Sequence, residues 1–178
     1  GGIGNDTLEG GSGNDVIYGE DGADTIKGGG GHDTIFGTTG SILGGSITVS
    51  AASGDDADTI YGDAGNDFLL AGGNNDRLEG GAGNDILLGD GGTIRFVNDT
   101  VAKTVANVSK VDYSDSVVLS IGYGEDTLFG NAGNDQIYGG PGNDIIDGGA
   151  GDDIIKSESS TSGNTVYGGS GNDQIWGS

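Results

Sequence analysis

The sequence predicts an all-β fold, a parallel solenoid in which short strands stack coil upon coil. Three observations predict it. A nine-residue unit, written GGSGNDVIY from Gly10 to Tyr18, recurs along most of the chain. Its eighth position is always aliphatic, which marks one inward side chain per short strand. The six residues before the strand are rich in Gly, 42 of 178 in the whole chain, and end in Asp. A fixed period of this kind means units that bury their apolar face only against their neighbours.

Fourteen units share one frame, with the first Gly as position one. Their eighth residues are Leu8, Ile17, Ile26, Ile35, Ile60, Leu69, Leu78, Leu87, Leu128, Ile137, Ile146, Ile155, Val166 and Ile175. Each unit reads as a six-residue turn and a three-residue strand. A strand this short has no core of its own. Two units make a coil of eighteen residues, with one strand in each of two facing sheets. Seven such coils at a strand spacing of ~4.8 Å make a rod about 34 Å long.

The sixth residues fall on two edges of that rod. Even-numbered turns end in Asp15, Asp33, Asp67, Asp85, Asp135, Asp153 and Asp173. Odd-numbered turns end in Asp6, Asp24, Asp58, Asp76, Asp126, Asp144 and Asn164. All seven even turns keep Gly at position four, whereas odd turns include GEDGAD and AGGNND. The even edge is therefore expected to be regular and the odd edge irregular, most of all at Asn164.

Composition bounds what such a rod can do. The chain carries 28 acidic and 6 basic residues, a net charge of −22. Leu, Ile, Val and Phe make up 39 of the 178 residues, a thin core for a chain so charged. Acidic repulsion and Gly backbone entropy both oppose folding. The charge argues against nucleic acid and anionic membranes as partners and favours cations. There is no Cys to supply disulfides or thiolate metal sites. No apolar run approaches the ~20 residues that span a bilayer, so no direct membrane insertion is expected. The chain opens in mid-repeat at Gly1, without a starting Met or signal peptide, and reads as a piece of something longer.

The frame breaks three times, at about 37–54, 89–121 and 157–164. The breaks fall in units five, nine and thirteen, all on the odd edge, and are expected to protrude there as loops at intervals of about 10 Å, two strand spacings. Thr93 to Val97 and Ser116 to Ser120 alternate in part and predict extra β-hairpins. Val101 to Val111 carries Val at helical spacing, but its Val and Thr content leans to strand. Otherwise the chain reads as one module over 1–178.

Positions seven and nine point outward. On even strands they are strongly apolar at Phe68, Leu70, Ile86 and Leu88. A bare patch of that kind is unusual. Either the insertions fold over it, since each leaves from an even strand, or a neighbouring domain or subunit covers it. The single His, His32, sits in the turn GGGGHD where Asn is usual, and reads as an exposed turn residue. No Ser/His pairing and no Cys suggests a nucleophile. The sequence is expected not to be an enzyme.

The units GGSGNDVIY, GGAGNDILL and GGPGNDIID fit the pattern GGxGxDxUx, with U a large aliphatic residue. In this the chain resembles the RTX (repeats-in-toxin) family of calcium-binding nonapeptide repeats over nearly its full length. The resemblance implies a right-handed parallel β-roll of about seven 18-residue coils, with β-rich insertions on one edge. It implies Ca²⁺ between turns one coil apart on the same edge. The ligands would be two Asp carboxylates and carbonyl oxygens from positions one to four. Ca²⁺ takes six to eight oxygens, more than one turn supplies. The metal ligands so implied are the thirteen Asp named above at position six. Six pairs per edge allow up to about twelve ions, whose charge would nearly cancel that of the chain. Binding coupled to folding is expected, with a chain disordered in the absence of Ca²⁺. The alternative for these aspartates is a solvated acidic surface, or Asx-turns that hold no metal.

The family also implies a secreted or cell-surface bacterial parent, exported unfolded by type I secretion. A surface-layer protein, adhesin or toxin is one class of parent. The other is a secreted enzyme, such as a protease, lipase or alginate epimerase, that carries the roll as an accessory module.

Overall fold

The computed structural model describes residues 1–43, 46–49, 57–95, 116–121, 124–157 and 163–177. Val101 to Val111, leaned to strand above, and most of the third insertion lie outside the described residues. Two parallel sheets face each other, and each takes one strand from every coil. The odd sheet holds β2 (Thr7–Ser12), β5 (Thr25–Gly30), β9 (Thr59–Ala64), β11 (Arg77–Ala82), β14 (Thr127–Ala132), β16 (Ile145–Ala150) and β18 (Thr165–Ser170) in that order. The even sheet holds β3 (Val16–Tyr18), β6 (Thr34–Phe36), β10 (Phe68–Gly72), β12 (Ile86–Arg95), β15 (Gln136–Tyr138), β17 (Ile154–Ser157) and β19 (Gln174–Gly177). A short parallel pair, β1 (Gly2–Ile3) and β4 (Glu20–Asp21), lies apart. The fold is a parallel β-roll.

Register follows the repeat. Ile17 pairs with Ile35, Ile35 with Leu69 and Leu69 with Leu87, across units of one sheet and across the first insertion alike. The three-residue strand expected of every unit holds for β3, β6 and β15. Odd-sheet strands instead run six residues, because pairing continues into the even turn, as at Gly11↔Gly29 and Ser12↔Gly30. The even turns are the regular ones, so their backbones stay in step for longer.

The position-eight residues of the two sheets meet in one core. Ile26, Ile35, Ile60, Leu69, Leu78, Leu87, Leu128, Ile137, Ile146 and Ile155 are all fully buried. Burial falls toward the last coil, where Ile175 is 48% exposed. We therefore expect Leu87→Ala to lower stability by about 2–5 kcal/mol in calcium, as core truncations do. Ile175→Ala should lose less than half as much. Thermal melts of the two variants check this.

The apolar outer face of the even sheet is also buried. Phe36, Phe68, Leu70, Ile86, Leu88 and Tyr138 form a second cluster, with Tyr18 and Ile42 packed on it. The Tyr18 and Phe36 rings stack with centroids 4.8 Å apart. Ile42 belongs to β7 (Gly40–Leu43), whose Gly40 lies against the Phe36 ring. The first insertion thus supplies part of the cover.

The described parts of the first two insertions are antiparallel strands, as their alternation suggested, and they join one another in one sheet. β7 pairs antiparallel with β8 (Ser46–Val49), β8 with β12, and β12 with β13 (Ser116–Ile121). In register, Ile94 of β12 pairs with Ile47 on one side and Val117 on the other. The cause is β12, which does not turn at Gly89 but runs on for ten residues from the even sheet. A lone hairpin is marginal in water, and joining two of them through a shared strand pairs edges that would otherwise be open.

Candidate metal centre

Each position-six Asp sits where its turn ends, just before the strand. Its backbone N–H donates to Oδ1 of the corresponding residue one coil on. On the even edge Asp15 donates to Asp33, Asp33 to Asp67, Asp67 to Asp85, Asp85 to Asp135, Asp135 to Asp153 and Asp153 to Asp173, at 2.8–3.1 Å. On the odd edge the same ladder runs Asp6, Asp24, Asp58, Asp76, Asp126, Asp144 and Asn164, also at 2.8–3.1 Å. All thirteen Asp expected from the sequence fall in these two files, paired with the unit one coil away. Asp15 pairs with Asp33 rather than with Asp6 or Asp24.

The second oxygen has a different fate. Oδ2 of Asp15, Asp24, Asp33, Asp67, Asp85, Asp126, Asp135, Asp144 and Asp153 is buried and has no hydrogen-bond partner among the described residues. It faces the first Gly of its own turn, together with the carbonyl of the first Gly one coil on. A methyl placed on Gly10 would come 2.7 Å from both Asp15 Oδ2 and Gly28 O. On Gly62 it would come 2.7 Å from Asp67 Oδ2 and 2.5 Å from Gly80 O. At Gly10 and Gly62 an anionic oxygen and a carbonyl oxygen converge on position one, which favours Gly there, although the seventh unit carries Ala71. These are not Asx-turns, since Oδ1 accepts from a backbone N–H a whole coil away. Oδ1 ties coil to coil, and Oδ2 remains available.

Burial makes this arrangement electrostatically unfavourable by itself. It pushes Asp67, Asp126 and Asp135 up to about 7 and Asp85 up to about 8. Neighbouring carboxylates push the same way, while the N–H bond to Oδ1 pulls back. Asp33, Asp144 and Asp153 are also raised, by burial first. Such carboxylates need a cation or a proton. The donor set is all oxygen, carboxylate and carbonyl, which suits a hard cation such as Ca²⁺. Among the described residues no three His, Cys, Asp or Glu side chains gather at one point. The carboxylates are strung one per coil, so the remaining ligand oxygens would be main-chain.

The two edges differ as the sequence suggested. On both edges a position-four carbonyl presses on the position-four Gly one coil on, without a break from Gly13 to Gly171 on the even edge and at Gly22, Gly124 and Gly142 on the odd edge. A second ladder joins position five along the same edge, from Asn14 through His32, Asn66, Asn84, Asn134 and Asp152 to Asn172. The odd edge has Ala23, Ala57 and Gly163 at position five, residues without a side-chain acceptor. Asn164 keeps the Oδ1 bond of an Asp but brings no negative charge.

His32 is more than an exposed turn residue. Its Nδ1 accepts the Asn66 N–H at 2.8 Å and so holds one rung of the position-five ladder. We expect His32→Ala to lower stability by about 0.5–1.5 kcal/mol, the range of one such bond. His32→Asn should keep the rung, and the two variants separate in calcium-saturated melts.

One functional candidate escaped the sequence reading. Asp90 stands at position two of unit nine and is fully buried, with neither carboxylate oxygen hydrogen-bonded. Burial raises it to about 8, with the charges of Asp126 and Asp144 adding to the effect. The signal was an acid at position two directly before an insertion, in GDGG.

A comparison with curated proteins gives no match. The family profile of the RTX calcium-binding nonapeptide repeat matches in four copies, at residues 1–41, 52–87, 120–155 and 159–178. These segments cover well over half of the chain and contain every Asp of the two files. The chain belongs to the RTX calcium-binding nonapeptide-repeat family.

Proposed function

We propose that this chain is a calcium-folded structural module, with no catalytic role, of a secreted or cell-surface bacterial protein. The carrying observation is the pair of Asp files, with buried Oδ2 atoms facing Gly carbonyls one coil away. Ca²⁺ would supply the positive charge these oxygens lack. The residues that would hold it are the thirteen position-six Asp with main-chain carbonyls of the turns. Oδ1 fixes the spacing of coils, and Gly at position one leaves the room. The same Asp recurs in lattice fashion, which supports a ligand role over acid–base chemistry. A chain held open by its own charge where Ca²⁺ is scarce and closed where it is plentiful would act as an export-linked folding switch. Extracellular modules of this kind bind at about 10⁻⁴–10⁻³ M.

The parent would be a surface-layer protein, an adhesin or a toxin, or else an enzyme that carries the roll as an accessory module. A catalytic domain in the same gene would decide for the second. The stoichiometry tests the module itself. Calorimetric titration of the chain with Ca²⁺ should approach one ion per Asp pair, and fewer than about four ions would sink the two-edge arrangement. Asn164→Asp should strengthen uptake at the last odd-edge pair in calcium and give no gain in chelator.

A further inference from the structure

The two outer sheet faces of the roll differ in cover. The outer face of the even sheet is buried at its centre, in part by Ile42 of the first insertion. The outer face of the odd sheet is open. In β5, β9, β11, β14 and β16 the position-eight residue is buried, while its neighbours at seven and nine are exposed or half-buried. Among the described residues the added strands join the roll through β12, which belongs to the even sheet.

This open face is also the least charged. It holds two of the six basic residues, Lys27 and Arg77, against three acids, Glu9, Glu79 and Asp147, on a chain whose net charge is −22. Position seven is Thr in five of the seven coils. Position nine alternates ring and acid from the third coil on, as Tyr61, Glu79, Phe129, Asp147 and Tyr167. The bases brace two of these rings. Lys27 Nζ lies 5.7 Å from the centre of the Tyr61 ring, and the Arg77 guanidinium 4.8 Å from that of Phe129. Arg77 also pairs with Glu79. Toward the last coil Ile145 is 47% and Tyr167 59% exposed. A row of rings and Thr methyls with little net charge is where two such acidic chains repel each other least.

We propose that the odd outer face pairs with the same face of a second copy of this chain, the two rods lying side by side and parallel. A two-fold axis along the rods generates this pair, and facing sheets pack at about 10 Å. The axis sets position seven of each coil opposite position nine of the same coil in the other copy. Thr59, Thr127 and Thr165 then meet Tyr61, Phe129 and Tyr167, small against large. Arg77 meets Glu79 twice, once from each copy. Antiparallel rods would instead lay Glu79 on Glu79 and Arg77 on Arg77. Two outward side chains from each of seven strands make a face smaller than the ~20–30 residues of a standard interface, so the pair is weak. Its dissociation constant should be about 1–100 µM.

Sedimentation velocity in saturating calcium tests the pair, with the chain varied from about 1 µM to about 1 mM, a range that brackets the expected constant. Wild type should pass from monomer to dimer over that range. Arg77→Glu and Glu79→Arg, each alone, should weaken the dimer at least about tenfold, because like charges then face each other. Mixed together, the two variants should pair about as well as wild type, since each supplies the charge that the other lacks. Circular dichroism in calcium checks that both are folded. Should either fail to fold, Ile145→Glu takes its place at an exposed site. It sets an acid opposite Asp147 of the other copy and should also weaken the dimer. A folded wild type that stays monomeric leaves the face to a different partner and overturns the proposal. So do folded variants that pair as wild type does, or a mixture of the two charge variants that stays monomeric.

Discussion

In excess chelator at pH 7.5 the chain should lose its β-sheet circular dichroism and give the spectrum of a disordered polymer; added Ca²⁺ should restore it. The argument is one of magnitudes. Asp67, Asp126 and Asp135 are pushed from 3.8 to about 7, and Asp85 and Asp90 to about 8. A shift of that size disfavours the fold by about 4 kcal/mol per group near neutral pH. Several such groups act against a stability that is ordinarily only ~5–15 kcal/mol for a domain. The remaining buried carboxylates and a net charge of −22 act in the same direction. Against this stands a core of one aliphatic residue per nine. Without a cation these buried carboxylates oppose the folded roll at neutral pH. With one at each Asp pair, the same carboxylates change from a liability into the cross-links between coils. Unchanged β content in chelator would show that the Asp files do not govern folding.

Much of this was legible because it is periodic. The phase of Ile17, Ile35 and Leu69 fixed the sheet, the facing partner and the register, since each coil repeats the geometry of the last. The same phase put Asp15 with Asp33. What one unit cannot reveal is how Asp15 divides its two oxygens, because that depends on where the neighbouring N–H and the Gly28 carbonyl fall in space. The insertions were legible only locally. Alternation at Thr93 to Val97 announced a strand, but its pairing with β8 joins residues far apart in sequence, without any repeat to guide it. The joining of the two insertions was not legible for that reason. Asp90 went unseen because it breaks the motif. The pattern gives its position no side-chain ligand, and its side chain lies against Gly140 where β12 runs on past Gly89. His32 departed from Asn in name while keeping the acceptor that the ladder needs.

The stability of the roll should depend on pH with opposite signs in chelator and in saturating calcium. In chelator the relevant groups have folded values of about 7 to 8 against 3.8. The folded state then binds more protons than the unfolded chain across that interval. Their contribution is fully present below about pH 4 and is lost as pH rises through about 7 to 8. The chelated chain should therefore regain β content near pH 5 and lose it by pH 8. In calcium the carboxylates must be ionised to act as ligands, so each proton competes with the ion. Stability there should rise with pH over the same window and level off once the carboxylates are free of protons. Asp85→Asn separates the two regimes, because the amide neither titrates nor carries charge. In chelator it should raise stability at pH 7.5 and flatten the pH dependence. In calcium it should lower the melting temperature and weaken binding. Melting curves from pH 4.5 to 8.5 under both conditions measure the slopes directly. Slopes of the same sign would mean that the buried Oδ2 atoms are not what calcium satisfies.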